Sequence, residues 1–276
     1  MANTNKNAAD ARAAAKAKAQ QQVRAKERRT TVAIIAVAAA VVVAFAGIVY
    51  FIINASKVPT LEEMWAQTNP PVPAGSDETG GIAVGTDGST GTAQPADAVR
   101  MDLYVDFMCP VCNQFEQINN ADIEAMREAG TIALFYHPIS ILDGASSGTK
   151  YSTRAANAAA VVADQDPSHF LDFVAALYAN QPEENSTGLN DDAIEALAIG
   201  AGVPAAVASQ FTDGEFTKWV GAATQQASID GLGGTPTVML DREILDQREV
   251  PYFQQGALRS YIEGLGGATP EPSASN

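Results

Sequence analysis

The feature that most constrains this chain is its cysteine pair, because Cys109 and Cys112 are the only cysteines in 276 residues. Two cysteines so close together cannot staple distant elements, so reactivity explains them better than a disulfide scaffold does. Residues 99–107 before the pair alternate in polarity and are rich in β-forming residues, whereas apolar positions after it recur at helical spacing up to Gly130. The pair therefore lies where a strand passes into a helix.

This location predicts different roles for the two cysteines. Cys109 falls at the helix N-terminus, where unpaired backbone N–H groups and the positive end of the helix dipole stabilise a thiolate. We therefore predict that Cys109 is the nucleophile. Cys112 lies one turn further on the same helix face, where it can form the disulfide or resolve a mixed disulfide with substrate. Pro110 favours the first helical turn and supports this helix start.

The C-P-V-C spacing has two other interpretations. Half of many zinc sites have this spacing, but zinc needs further ligands. The chain has only two histidines, His137 on a predicted strand and His169 among predicted helices, and they lack the usual paired spacing. We therefore predict no metal site. A purely structural local disulfide is the second alternative, and the spacing leaves it open.

Two segments resemble the signature segments of the DsbA-like branch of the thioredoxin superfamily. They are YVDFMCPVCNQFE around the cysteines and GGTPTVMLD, which begins at Gly233. The resemblance covers about residues 81–265 and implies an α/β thioredoxin-like fold with a helical insertion at about 150–230. It also implies that Pro236 is cis and faces the dithiol, and that the preceding Thr235 pairs with an extended substrate.

Three positions near the dithiol depart from that family pattern or add to it. Many relatives have histidine where this chain has Val111, which leaves the oxidising strength open. Leu103 stands where thioredoxin-like relatives often have a buried acid. Asp106 lies nearer and has two interpretations: it assists proton transfer from Cys112, or it is a strand-end or capping carboxylate, which we favour.

The remaining pattern predicts the element order β-α-β, then a block of helices, then β-β-α. A short strand at 81–85 and a buried strand at 131–137 complete the first half. A hairpin of 237–241 and 243–247, followed by an amphipathic helix at about 252–265, closes the sheet. The predicted helices of the block lie at about 151–164, 168–180, 190–201, 204–211 and 214–229.

Residues 31–53 carry no charge, and as a helix they would measure about 35 Å, enough to cross a hydrocarbon core of about 30 Å. Basic residues crowd positions 24–29, whereas Lys57 stands nearly alone on the other side, so the positive-inside rule places the N-terminus in the cytoplasm. A cleavable signal peptide is the competing interpretation, but its apolar region is usually about 7–15 residues long. We predict a single-pass cell-membrane protein in which residues 1–30 form a basic cytoplasmic tail.

Beyond the membrane we predict a spacer at 54–80, the catalytic domain at 81–265 and a disordered tail at 266–276. Residues 1–30 hold eight Lys/Arg and two Asp/Glu, a net charge of +6, which leaves −21 for the rest of a chain whose total is −15. Such an acidic body repels phosphate backbones, so we expect no nucleic-acid partner.

Together these features predict a membrane-anchored thiol-disulfide oxidoreductase that works outside the cytoplasm. We expect it to oxidise cysteine pairs of unfolded or partly folded exported proteins, and a membrane redox partner to reset the dithiol. No cofactor is expected. Val111 keeps a reductase or isomerase as an alternative, and a third possibility is a non-catalytic, membrane-anchored peptide-binding or chaperone module with an inert disulfide.

Overall fold

The computed structural model describes residues 43, 45–50, 58–67 and 71–267. The predicted tail 1–30, most of the predicted membrane span 31–53 and most of the predicted C-terminal tail lie outside the described residues. Within the described ranges, no helix is both long enough and apolar enough to cross a bilayer. The folded unit that carries the cysteines begins at Val58.

Among the described residues, five strands form one mixed sheet in the order β1-β3-β2-β4-β5. The strands are β1 (Ile82–Val84), β2 (Val99–Val105), β3 (Ile132–Pro138), β4 (Thr237–Leu240) and β5 (Glu243–Ile244). The helices of the unit are α1 (Leu61–Trp65), α2 (Pro110–Glu128), α3 (Tyr151–Gln165), α4 (Phe170–Ala179), α5 (Asp191–Gly200), α6 (Ala205–Ala208), α7 (Thr217–Ile229) and α8 (Ala257–Gly267).

The predicted β-α-β unit forms the centre of the sheet. β2 and β3 run parallel and α2 connects them, whereas β1, β4 and β5 each pair antiparallel with their neighbours. α2 stops where the sequence predicts, because Gly130 takes a positive φ of 71° that glycine adopts without strain. The chain then turns back at once, and the Thr131 N–H donates to the Met126 carbonyl at 2.8 Å.

The two faces of β2 differ in chemistry because successive side chains of a strand point to opposite sides. Met101, Leu103 and Val105 are buried in the main hydrophobic core. The other face carries Asp102 and Tyr104, which are also buried, and Tyr104 packs in a smaller apolar cluster with alanines of α7. The sheet is therefore covered on both faces.

The predicted helical block lies between β3 and β4 and consists of α3 to α7. α3 is its central helix, because every residue from Ala155 to Ala163 is buried and α4, α6 and α7 pack around it. Small alanine side chains allow these neighbours to approach closely. The one clear difference concerns 204–211, where α6 ends at Ala208 and a short 3-10 helix, Phe211–Asp213, follows.

The segment predicted as a spacer, 54–80, contains a packed helix instead of only flexible chain. Thr60 and Glu63 cap α1 reciprocally through side-chain and backbone hydrogen bonds. Leu61 and Met64 are 2% and 1% exposed, and α1 packs against α7. The composition of the segment favours a linker, but two buried apolar side chains fix it to the domain.

The glycines of the following loops allow close packing of two chain segments. A Cβ atom on Gly75 would lie 2.1 Å from the Cα atom of Gly91, so the two backbones touch where only glycine fits. Isolated bridges pair Ser76 with Ile82 and Val84 with Thr90 on either side of this contact. The glycines of this segment therefore allow two ordered loops to cross in contact, and do not indicate a flexible linker.

The C-terminal half follows the predicted β-β-α order with shorter elements. The turn between β4 and β5 places Asp241 and Arg242 at positive φ values of 48° and 69°, as tight hairpins require. The last helix begins at Ala257 and not near Tyr252, because Pro251 and Gly256, with a φ of 77°, hold the preceding residues in turns.

Candidate active site

The two cysteines lie at the junction of β2 and α2, as the sequence predicts. Cys109 is the N-cap of α2 with an extended backbone (φ −77°, ψ 113°), and Pro110 is its first helical residue. No side chain of the described residues caps this helix start. The backbone N–H groups of the first turn are therefore left to interact with the Cys109 sulfur.

The Cys109 thiolate is stabilised from several sides. The hydrogen bond from the Cys112 thiol is the largest cause, and burial acts against it. The Thr235 side chain and the backbone N–H groups of Cys112 and Val111 add to the stabilisation, and together they lower the pKa of Cys109 from 9.0 to about 6. Cys109 is therefore mostly thiolate at neutral pH.

Cys112 has the opposite character. Its side chain is 1% exposed, and burial, followed by the neighbouring Cys109 sulfur, raises its pKa far above the ordinary range. Both cysteines are free thiols in the structure, which therefore describes the reduced dithiol. One sulfur of the pair is ready to leave or attack as an anion, whereas the other keeps its proton.

The predicted prolyl loop lies beside Cys109, although the two segments are far apart in the chain. In its protonated form, the Cys109 thiol donates a hydrogen bond to the Thr235 carbonyl, 126 residues away, with an Sγ to oxygen distance of 3.2 Å. The Thr235–Pro236 peptide bond is cis. The Thr235 hydroxyl is buried and has no hydrogen-bond partner among the described residues, so it is available to donate to a thiolate.

The backbone beside the dithiol lies at the unpaired end of a strand. β4 pairs with β2 only from Thr237 onward, so Thr235 lies just beyond the paired part of the strand. A peptide can add to such an edge through backbone hydrogen bonds. The side chain of Val111 is 44% exposed at the first turn of α2 and brings neither charge nor a donor to the sulfurs.

Asp106 caps the turn that carries the dithiol. Its carboxylate accepts the backbone N–H of Met108 at 2.9 Å and that of Leu142 at 2.9 Å. Burial raises the pKa of Asp106 to about 6 even though these hydrogen bonds act to lower it. The geometry supports the capping role favoured from the sequence, and the pKa also permits proton exchange near neutrality.

A second carboxyl near the dithiol, Glu116, was not singled out from the sequence. Glu116 follows Cys112 by one helical turn on α2, and burial, followed by the charge of Glu124, raises its pKa to about 7. The i, i+4 spacing from Cys112 is the signal that would have found it. Leu103, at the position where relatives often carry an acid, is buried in the core.

The two histidines have structural partners. His137 is fully buried, its Nε2 lies 2.8 Å from an Asp102 carboxylate oxygen, and its ring stacks on Tyr104 at 3.9 Å. His169 pairs through Nδ1 with Asp166 at 2.8 Å. Among the residues that the structure describes, no group of three possible metal ligands occurs.

Known proteins with the same architecture include thiol-disulfide enzymes. A thioredoxin family model matches residues 91–256, more than half of the chain. The solved structure of reduced DsbA from Mycobacterium tuberculosis is 28% identical with a TM-score of 0.56, and the match covers 69% of this chain and 94% of that one. MdbA, a thiol-disulfide oxidoreductase from Actinomyces oris, has a TM-score of 0.58 over 75% of this chain and 99% of its own, but at 24% identity it shows the fold alone.

A curated relative shares only part of its length with this chain. The serine/threonine-protein kinase PknE of Mycobacterium tuberculosis is 34% identical over 96 residues, which are 34% of this chain and 17% of the kinase. The chain thus spans less than a fifth of the length of that relative. The family model, in contrast, spans the strand, the dithiol helix and the prolyl loop described above, and this chain belongs to the thioredoxin family.

Proposed function

We propose that this chain is a protein disulfide oxidoreductase that oxidises cysteine pairs of exported proteins. The observation that carries the proposal is the difference between the two thiols, with the pKa of Cys109 lowered to about 6 and that of Cys112 raised far above the ordinary range. A sulfur of low pKa is a good leaving group. A mixed disulfide on Cys109 therefore resolves readily in the direction that leaves the disulfide in the substrate.

The chemistry takes two steps of thiol-disulfide exchange. A substrate thiolate attacks the Cys109 sulfur of the oxidised protein, the Cys109–Cys112 bond breaks, and Cys112 leaves and takes up a proton. The second substrate thiolate then attacks the substrate sulfur of the mixed disulfide, and Cys109 leaves as a thiolate. Two electrons pass from substrate to dithiol, and of the two substrate protons one stays on Cys112 and one goes to solvent.

The prolyl loop supplies the substrate contact in this proposal. An unfolded cysteine-containing segment adds to the open backbone edge at Thr235, which places its sulfur next to Cys109. Unfolded chains suit such an edge because their backbone is still available for pairing. The 28% identity to a protein named DsbA supports the same chemistry.

We also propose that residues 31–53 anchor the protein in the cell membrane with the catalytic domain outside the cytoplasm. The uncharged stretch and the basic residues before it support this orientation. A membrane redox partner then takes two electrons from the reduced dithiol. The test is labelling of intact cells with a membrane-impermeant maleimide, in a protein without its own cysteines. Ile229→Cys, at a side chain that is 64% exposed, should label, and Asn5→Cys should not; the reverse pattern contradicts the orientation.

The activity is tested with the full-length oxidised protein and a reduced, unfolded substrate that has one cysteine pair. We expect stoichiometric oxidation of the substrate by the wild-type protein, and turnover when an oxidant is added. Cys109→Ala should abolish the reaction, because no mixed disulfide can form. Val162→Ala, a substitution in the core of the insertion, serves as a control for general loss of packing.

The same assay separates the alternatives. Reduction of a disulfide substrate without oxidation of the reduced one would replace the oxidase with a reductase or isomerase. Function in cells that survives Cys109→Ala would favour a peptide-binding module instead. The first result contradicts the proposed direction of electron flow, and the second contradicts the redox activity itself.

A further inference from the structure

Gln181 connects the helical insertion to the turn that carries the dithiol. It lies just after α4, and its side-chain Nε2 donates to two backbone carbonyl oxygens, that of Phe107 at 3.1 Å and that of Cys109 at 2.9 Å. Both carbonyls belong to the connection between β2 and α2. A single neutral amide therefore bridges the nucleophile and the residue two positions before it.

Further contacts hold the end of α4 against the same turn. The side-chain Nδ2 of Asn113 donates to the Tyr178 carbonyl at 3.0 Å, and the rings of Tyr178 and Phe107 lie with their centroids 5.4 Å apart. The Gln181 N–H in turn donates to the Tyr178 carbonyl at 3.2 Å. The insertion thus fixes the position from which the Gln181 amide reaches the active-site turn.

The Cys109 carbonyl is the first acceptor of α2. It receives the backbone N–H groups of Cys112 at 3.1 Å and of Asn113 at 3.3 Å, and the Gln181 amide is the nearest of its three donors. The proline that follows has no N–H, so this peptide unit is held through its oxygen alone. Its orientation sets the direction of the Val111 and Cys112 N–H groups, which stabilise the Cys109 thiolate.

We infer that Gln181 is a positioning residue, which holds the Cys109 carbonyl and the first turn of α2 in the orientation that stabilises the Cys109 thiolate. The donor also draws electron density of the carbonyl oxygen away from the sulfur. This inference rests on the proposed function, because the thiolate is the leaving group of the second exchange step. It gives the helical insertion a part in the chemistry.

The test is Gln181→Leu in the full-length reduced protein, because leucine has a similar size and no donor. The chain has only two cysteines and Cys112 stays protonated, so ultraviolet thiolate absorbance against pH reports Cys109. We expect the pKa of Cys109 to rise by about 0.5 to 1, which is about a three- to tenfold loss of thiolate below that pKa. The equilibrium with glutathione should shift by a similar factor toward the oxidised protein.

Gln210→Leu is the matched control. Its side-chain amide also donates to a backbone carbonyl of the insertion, that of Ala206 at 2.8 Å, but it makes no hydrogen bond to α2. We expect the pKa of Cys109 to stay at the wild-type value in this variant. Gln181→Asn provides a second variant, which keeps an amide but shortens its reach, and circular dichroism verifies that each variant is folded.

The outcomes separate this inference from the proposed function. A wild-type pKa of Cys109 in folded Gln181→Leu and Gln181→Asn overturns the role of Gln181, whatever the protein oxidises. An equal shift in Gln210→Leu also overturns it, because the effect would then belong to the insertion in general. A shift confined to the Gln181 variants, in a protein that oxidises no substrate, supports the positioning role and rejects the oxidase.

Discussion

Buried and half-buried carboxyl groups lie in two parts of this domain and behave in opposite ways. In the arginine cluster, Asp77 and Asp102 both bind the Arg100 guanidinium. Burial acts to raise their pKa values, but the hydrogen bonds that they accept outweigh it, and both pKa values are lowered. Near the dithiol, Asp106 and Glu116 form no ion pair with a described residue, and burial raises their pKa values to about 6 and about 7.

The comparison shows that this domain has two kinds of carboxyl group, those that stabilise the fold and those that can exchange a proton. A carboxylate with a cation and several donors is fixed in its charged form, which suits a structural role. A carboxyl that lacks a cation titrates near neutrality and can exchange a proton at working pH. Proton exchange is required beside Cys112, because this sulfur gains and loses a proton in every cycle of the proposed reaction.

The largest change in stability is expected when the Arg100 guanidinium is removed from the arginine cluster. Arg100 donates to Asp77 at 2.6 Å and, through Nε, to Asp102 at 2.8 Å. Arg100→Leu leaves both carboxylates without it, and we expect the free energy of unfolding to fall by about 3–5 kcal/mol. Guanidinium unfolding curves measure this loss.

The pH dependence of that loss follows from the direction of the pKa shifts. A carboxyl with a lowered pKa stabilises the fold above its ordinary pKa of 3.8 and loses this contribution as pH falls further. The difference between wild type and Arg100→Leu should therefore be full at neutral pH and narrow below 3.8. Arg242→Leu, at a side chain that is 52% exposed, is the control and should have little effect.

Glu116→Gln should change the free energy of unfolding by a smaller amount and in the opposite direction, by stabilising the fold. The pKa of Glu116 is raised from 4.5 to about 7, so its burial costs stability once the unfolded chain ionises. The variant should be more stable than wild type by about 2–3 kcal/mol above pH 7, where the wild-type carboxyl is ionised, and equal to it below pH 4.5. Glu128→Gln, on the same helix but 64% exposed, should show no such pH-dependent gain. A gain that is the same at both pH values contradicts the assignment.

The sequence predicts features formed by neighbouring residues better than contacts between distant segments. The strand, the dithiol turn and α2 were predictable, because the position of Cys109 at a helix start depends only on residues near it in the chain. The association of Thr235 with Cys109 came from family resemblance, since no spacing rule joins residues 126 positions apart. Glu116 was missed although its helical spacing from Cys112 is visible.

Other features could not be predicted because tertiary packing creates them. α1 lies in a segment of spacer-like composition, and only the surface of α7 explains why Leu61 and Met64 are buried there. Gln181 donates two hydrogen bonds to carbonyls of the dithiol turn, which lies more than 70 residues away, and no local sequence pattern predicts them. The raised pKa of Asp106 likewise depends on burial, which a linear pattern does not report.

The smallest effect is expected when a cation is added beside the dithiol. Val111→His places an imidazolium on the first turn of α2, which should lower the pKa of Cys109 below about 6 and strengthen the protein as an oxidant. Because this side chain is 44% exposed, solvent screening should limit the change to less than about tenfold in thiolate. Thiolate absorbance against pH measures it.

The neutral substitution Val111→Gln is the control, since it adds polarity without charge. An equal decrease in the pKa of Cys109 in both variants would show that charge is not the cause. High salt should reduce the effect of the histidine and leave the glutamine variant unchanged.

The packing of α1 determines how the domain can be shortened. A fragment that starts at Gly81 loses Leu61 and Met64, and each buried side chain of this size contributes about 1.5–3 kcal/mol. Removal of α1 also exposes apolar residues of α7, the helix that leads into the Thr235 loop. An exposed apolar patch of this kind promotes aggregation. A fragment that starts at Val58 keeps this cover, and is the form suited to soluble production and crystallisation.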